Sequence, residues 1–142
     1  MLDRQDGGAA RDRLDRLLRH CADLGVDVEW RDLGDLRRGE YRSAERRIVL
    51  SPRLTGPQAV ACLAHELGHH RFGHGATTPA GERQAWEYAA ALVITPQEYA
   101  AAEDRVGAHP AGLALELGVT PQLVEAWRRW WLRTGGSAAS VA

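Results

Sequence analysis

Ala64-His65-Glu66-Leu67-Gly68-His69 is the stretch on which the reading of this chain turns, with Ala59-Val60-Ala61-Cys62-Leu63 as an apolar lead-in. On a helix each residue turns about 100°, so residues four apart lie on one face, one turn along. His65 and His69 then point the same way and can grip one metal ion with two imidazoles. Glu66 stands beside them, slightly round the helix, where a carboxylate reaches a metal-bound water without being a ligand itself. The apolar lead-in marks the helix as buried, and buried polar side chains need a reason to be there. Gly68, between Glu66 and His69, leaves room for another segment to approach.

His-Glu-x-x-His on a helix is the zinc-peptidase signature. Zinc lowers the pKa of a bound water to about 7, and a nearby Glu accepts its proton as the hydroxide attacks a carbonyl. The expected cofactor is therefore Zn2+, with His65 and His69 as ligands and Glu66 as general base. The bland alternative is a helix with two ordinary surface or core histidines.

A catalytic zinc takes three protein ligands and a water. After His69 the candidates are His70, His74, Glu82, Glu87 and His109. His70 is 100° round from His69 and points elsewhere. His74 fails the metzincin spacing, since Phe72 and Gly75 stand where that pattern needs Gly and His, and the only Met is Met1. Glu82 fits better. Ala85, Ala89 and Leu92 follow it at three, seven and ten and share its face. The two alanines would let this helix pack closely on the histidine-bearing one and bring the Glu82 carboxylate to the metal. Glu87 is about 140° away on the wheel and is expected to be solvated.

A chain of 142 residues is long enough for one domain with a real core, and 44% hydrophobic with 26% charged residues is an ordinary soluble composition. A net charge of -1 makes no global case for nucleic acid or membrane binding. All 18 basic residues are Arg. Cys21 and Cys62 form no Cys-x-x-Cys and suggest no disulfide framework. No apolar run approaches the roughly 18 residues of a spanning helix, and the charged start has no signal-peptide core. These features predict a single cytoplasmic domain over 1–142 with no membrane partner, disordered at 1–8 and 135–142.

Leu14, Leu17, Leu18, Cys21 and Leu24 have helical spacing and stop at Gly25. Val26 to Trp30, Glu40 to Arg42 and Arg47 to Leu50 read as short strands. Thr55, Pro57 and Gln58 form a helix start with a capping box. Residues 74–81 read as a loop, Glu82 to Ile94 as a helix and Pro96 to Val106 as another. Residues 108–134 read as helix, tight turn at Gly118-Val119-Thr120, then helix. The fold class is α+β: a mainly helical domain with a small sheet beside the His-Glu-x-x-His helix and a helix-turn-helix-like pair at the C-terminal end.

His65-Glu66-Leu67-Gly68-His69, then Glu82-Arg83-Gln84-Ala85-Trp86-Glu87-Tyr88-Ala89, then Leu92-Val93-Ile94-Thr95-Pro96 resembles the ImmA/IrrE family of zinc metallopeptidases. The resemblance covers roughly residues 45–133 and includes Leu117-Gly118-Val119-Thr120-Pro121-x-Leu123-Val124. It implies a zincin-like fold, zinc on His65, His69 and Glu82, and Glu66 as base. It also implies a protein substrate, a helix-turn-helix transcriptional repressor of a mobile element or stress regulon. The chain departs from the related Glu-x-x-x-Asp pattern: Trp86 stands where an Asp would hold a ligand histidine, so that support is expected from elsewhere, such as a backbone carbonyl.

Trp127, Trp130 and Trp131 interleave with Arg128, Arg129 and Arg133. This could be a DNA- or partner-binding face, but the favoured reading packs the tryptophans inward. Tyr88 and Tyr99 could stabilise an oxyanion; core packing is the default. In zinc peptidases of this broad type an edge strand just before the zinc helix binds substrate in extended form, and the resemblance implies that role for the strand Arg47 to Leu50. The rival function is a non-proteolytic regulator with this fold that binds a repressor or DNA. The complete set His65, Glu66, His69 and Glu82 argues for the enzyme, because a pure binder has no use for Glu66.

Overall fold

The computed structural model describes residues 2–73 and 78–136. Among these residues the α-helices are α1 (Leu2–Asp23), α2 (Gly56–Phe72), α3 (Pro79–Val93), α4 (Pro96–Val106), α5 (Pro110–Leu117) and α6 (Pro121–Thr134). Three strands, β1 (Asp27–Trp30), β2 (Gly39–Arg42) and β3 (Arg47–Leu50), form one small sheet beside α2. The class is α+β, as the sequence predicts.

Helices α2 to α6 share one kind of start. Thr55, Thr78, Thr95, His109 and Thr120 each accept a backbone N–H with the side chain, and a proline sits at the first or second helical position. The cap satisfies a donor the helix leaves orphaned, and the proline gives up an N–H that would have no partner there. Two starts, at Thr55 and Thr95, are full capping boxes. Gly25 ends the segment after α1, and Gly73 and Gly118 end α2 and α5, all at left-handed φ.

The first helix is longer than the periodicity suggests. It begins at Leu2, so residues 2–8, expected to be disordered, belong to α1. A helix already anchored by Ala10, Leu17 and Cys21 in the core extends one residue at a time, which is easier than nucleating a new one. Helix α3 starts three residues before Glu82, because Thr78 and Pro79 supply the cap. Residues 137–142, part of the segment expected to be disordered, lie outside the described residues.

The sheet order is β1-β3-β2, with β3 parallel to β1 and antiparallel to β2. The strand Arg47 to Leu50 is therefore central, not the edge it was expected to be. Its Ile48, Val49 and Leu50 are wholly buried, which suits a strand covered on both faces. Among the described residues, the free edge on the β3–β2 side is β2.

The core joins Ile48 and Leu50 to Leu63 and Leu67 of α2, Ala89 and Ala90 of α3, and Leu123, Val124 and Trp127 of α6. Trp127 and Trp130 are buried, but Trp131, expected to pack inward with them, is exposed at 40% and lies stacked on the outer side of Trp127. Trp127 donates its indole N–H to the Ile94 carbonyl and stacks on Tyr99. Arg128 binds the Tyr99 hydroxyl and the Ala108 carbonyl, and Arg133 binds Glu87. Two arginines of this helix, expected to be simply solvated, thus have partners within the chain. Cys21 and Cys62 are both free, and no described helix is long and apolar enough to cross a membrane.

Candidate metal centre

Helix α2 carries His65, Glu66 and His69, and α3 brings Glu82 to them. The approach is close because of two small residues. A Cβ on Gly68 would stand 2.7 Å from the Ala85 carbonyl oxygen and 2.8 Å from the Ala85 Cα. Only glycine lets the two backbones meet here, with Ala85 and Ala89 fully buried on the facing side. The shared face of Glu82, Ala85 and Ala89 packs as the wheel predicts.

The two imidazoles converge on one carboxylate. His65 Nε2 lies 2.8 Å from Glu82 Oε2, and His69 Nε2 lies 2.9 Å from Glu82 Oε1. One ligating atom from each of His65, His69 and Glu82 can be chosen so that all lie within 4.8 Å of one another. Two imidazole nitrogens and a carboxylate oxygen this close together are a donor set suited to zinc. The group could hold a metal ion.

Glu66 is buried, at 8% exposure. Its Oε1 stands 3.4 Å from His65 Nδ1, and its Cγ lies 3.8 Å from where a Gly39 Cβ would be. It therefore sits between the histidine face and the β2 edge. Burial pushes the His65 pKa down, but the carboxylates of Glu66 and Glu82 outweigh it and hold it above the ordinary value. Cys62, one turn before Glu66, has its thiol pushed up to about 11, chiefly by burial. A thiol that stays protonated at neutral pH is no competing nucleophile.

The other candidates fall elsewhere. His70 Nδ1 pairs with the Tyr41 hydroxyl at 2.8 Å, tying β2 to α2. His109 caps α5. His74 lies outside the described residues. Tyr88 and Tyr99 are buried in the core and pack against Phe72 and Trp127 respectively. Glu87 corrects an expectation: it faces away from Glu82, but it is buried at 8% exposure and bound to Arg133 Nε at 2.8 Å. The side of α3 opposite the site is covered by α6, which periodicity within α3 cannot reveal.

Trp86 does more than stand in place of an Asp. Its indole stacks on the His65 ring, with centroids 4.2 Å apart and planes 18° from parallel. Its position one turn after Glu82 on α3 was the available signal, since whatever stands there must meet the histidine face.

The family model of the IrrE N-terminal-like domain, Peptidase_M78, matches residues 21–126, from within α1 to within α6. No curated protein and no solved structure gives a significant match. That match spans most of the sequence and takes in the whole His65, Glu66, His69 and Glu82 group; the chain belongs to the Peptidase_M78 family of IrrE N-terminal-like domains, and with it to the metallopeptidase type.

Proposed function

We propose that this protein is a cytoplasmic zinc-dependent endopeptidase that hydrolyses a peptide bond in a partner protein, a helix-turn-helix repressor of a mobile element or stress regulon. The observation that carries the reading is the convergence of His65 Nε2 and His69 Nε2 on the two oxygens of Glu82, with the buried Glu66 carboxylate alongside. Membership of a peptidase family supports a protein substrate. The repressor is the partner that the resemblance to ImmA/IrrE peptidases implies.

His65, His69 and Glu82 would hold the metal. Zinc bound there supplies a Lewis acid for the scissile carbonyl and makes water acidic enough to deprotonate near neutral pH. Glu66 accepts that proton on its carboxylate and returns it to the leaving amine. The free edge of β2, which runs past Glu66 at Gly39, pairs with the substrate in extended form through its main chain. Burial of Glu66 and His69 keeps bulk water from competing for the proton.

Metal analysis after mild dialysis should find about one zinc per chain, the stoichiometry of a three-ligand site. Glu82→Ala should lower occupancy far more than Glu87→Ala, because Glu87 is engaged with Arg133 on the far side of α3. Removing the metal with a chelator should stop cleavage of the repressor, and added zinc should restore it. Full zinc in His65→Ala or His69→Ala would put the metal elsewhere and end this reading.

A further inference from the structure

We propose that Trp86 is a positioning residue for the His65 ring, setting by stacking the ring angle that a hydrogen-bonding carboxylate sets in the related Glu-x-x-x-Asp pattern. The inference rests on His65 holding the metal, as proposed above.

An imidazole ligates only when its ring plane contains the direction to the metal. The torsion that turns this ring is broad and roughly two-fold, so a neighbour must choose the angle. In metal sites the second ring nitrogen usually does so by donating to a carboxylate or carbonyl. His65 has a poor version of that contact: Nδ1 is 3.4 Å from Glu66 Oε1, beyond the usual range of a good N–H···O bond. Glu66 is also the group whose carboxylate is needed for proton transfer, so it is ill suited to serve as a fixed anchor.

The ring contacts make up for this. The indole lies at 4.2 Å and 18° over one face of His65, while His69 meets the ring at 4.6 Å and 74°. Turning the imidazole out of this plane drives its edge into the indole. Because Trp86 follows Glu82 by one turn of the same helix, the arrangement that delivers the Glu82 carboxylate to Nε2 also delivers the stack. Gly68 and Ala85 fix the helix separation on which both depend.

The test uses the full chain, stripped of metal with a chelator and titrated with zinc against a chromophoric competitor, then with cobalt(II) for its visible spectrum. W86L fills the space without a flat ring; W86F keeps a stacking face. The expected result is a zinc dissociation constant about 10–100-fold weaker in W86L, with an altered cobalt spectrum, and recovery of most of both in W86F. Zinc should also change the wild-type tryptophan emission, and W86F should lose that change while still binding. Equal zinc affinity and identical cobalt spectra in wild type and W86L would overturn the proposal, even if W86L melted earlier. So would an emission change that persists in W86F, which stays informative should W86L not fold. A wild-type chain that takes up no zinc overturns the metal reading itself, and that outcome is distinct from the others.

Discussion

Glu66→Gln should keep its zinc and its fold and lose peptide hydrolysis by about 10²–10⁴-fold, the usual contribution of a positioned general base. Glutamine has nearly the same shape, and its carbonyl can still face His65 Nδ1 where Glu66 Oε1 now lies at 3.4 Å. It cannot accept a proton from the attacking water. The side chain is buried between α2 and β2, so the substitution alters protonation chemistry more than packing. The repressor should still bind and should accumulate as a trapped complex, because it enters and is not released as fragments. A regulator that works only by binding predicts the reverse, with the variant silent in cells. Repressor level and target-gene output in cells carrying this one substitution decide the matter. Wild-type derepression with intact repressor would sink the peptidase reading, whatever the zinc content.

Arg13→Ala should destabilise the protein by about 3–5 kcal/mol, the cost of stranding the partners of a buried charge. That corresponds to a fall in Tm of roughly 10 °C or more for a chain of this size. Arg13 is only 6% exposed. Its Nε donates to the Leu117 carbonyl at 2.9 Å, Nη1 to the Val93 carbonyl at 2.5 Å, and Nη2 to Glu98 Oε2 at 2.7 Å. Val93 and Leu117 are the last residues of α3 and α5, so one guanidinium from α1 satisfies carbonyls at two helix ends and faces both negative dipole ends. Lysine cannot replace it, because a point charge lacks the rigid fork of donors. Urea unfolding of wild type, Arg13→Ala and Arg13→Lys would show this, and a loss under 1 kcal/mol in Arg13→Ala would refute it.

The same cluster predicts a pH dependence. Burial pushes the Glu98 carboxyl up, but the Arg13 hydrogen bond, the Thr95 backbone and the Arg13 charge together hold it below its ordinary 4.5. A group with a lowered folded pKa contributes stability that is present above its unfolded pKa and lost as the pH falls through the folded one. The stability gap between wild type and Glu98→Gln should therefore be full at neutral pH and close on acidification below about 4.5. A gap that widens in acid would contradict the assignment.

Much of this protein could be read along the chain, because the governing physics is local. A Thr with a Pro one or two residues on is a local capping signal, so the starts of α2, α4 and α6 are visible at Thr55, Thr95 and Thr120, and the same signal at Thr78 opens α3. The 100° turn per residue puts His65 and His69 on one face, and the run of Glu82, Ala85 and Ala89 identifies the face of α3 that meets them. Arg13 shares a face of α1 with the buried Ala10, Leu17 and Cys21, and a charge buried there asks for a partner.

What the partner is, only the tertiary structure decides. The two carbonyls and the carboxylate that Arg13 meets are 80 to 104 residues away in sequence. Glu87 is solvated on the wheel of α3 alone and buried once α6 brings Arg133 over it. Residues 47–50 make a strand from their own side chains, but whether that strand is an edge depends on whether β1 and β2 add to both its sides, and hydrogen-bonding capacity is the same for any strand before pairing. Trp86 shows the same division. Periodicity places it one turn from Glu82, whereas its stack on His65 exists because Gly68 and Ala85 let two backbones approach to contact, and no property of either helix alone sets that distance.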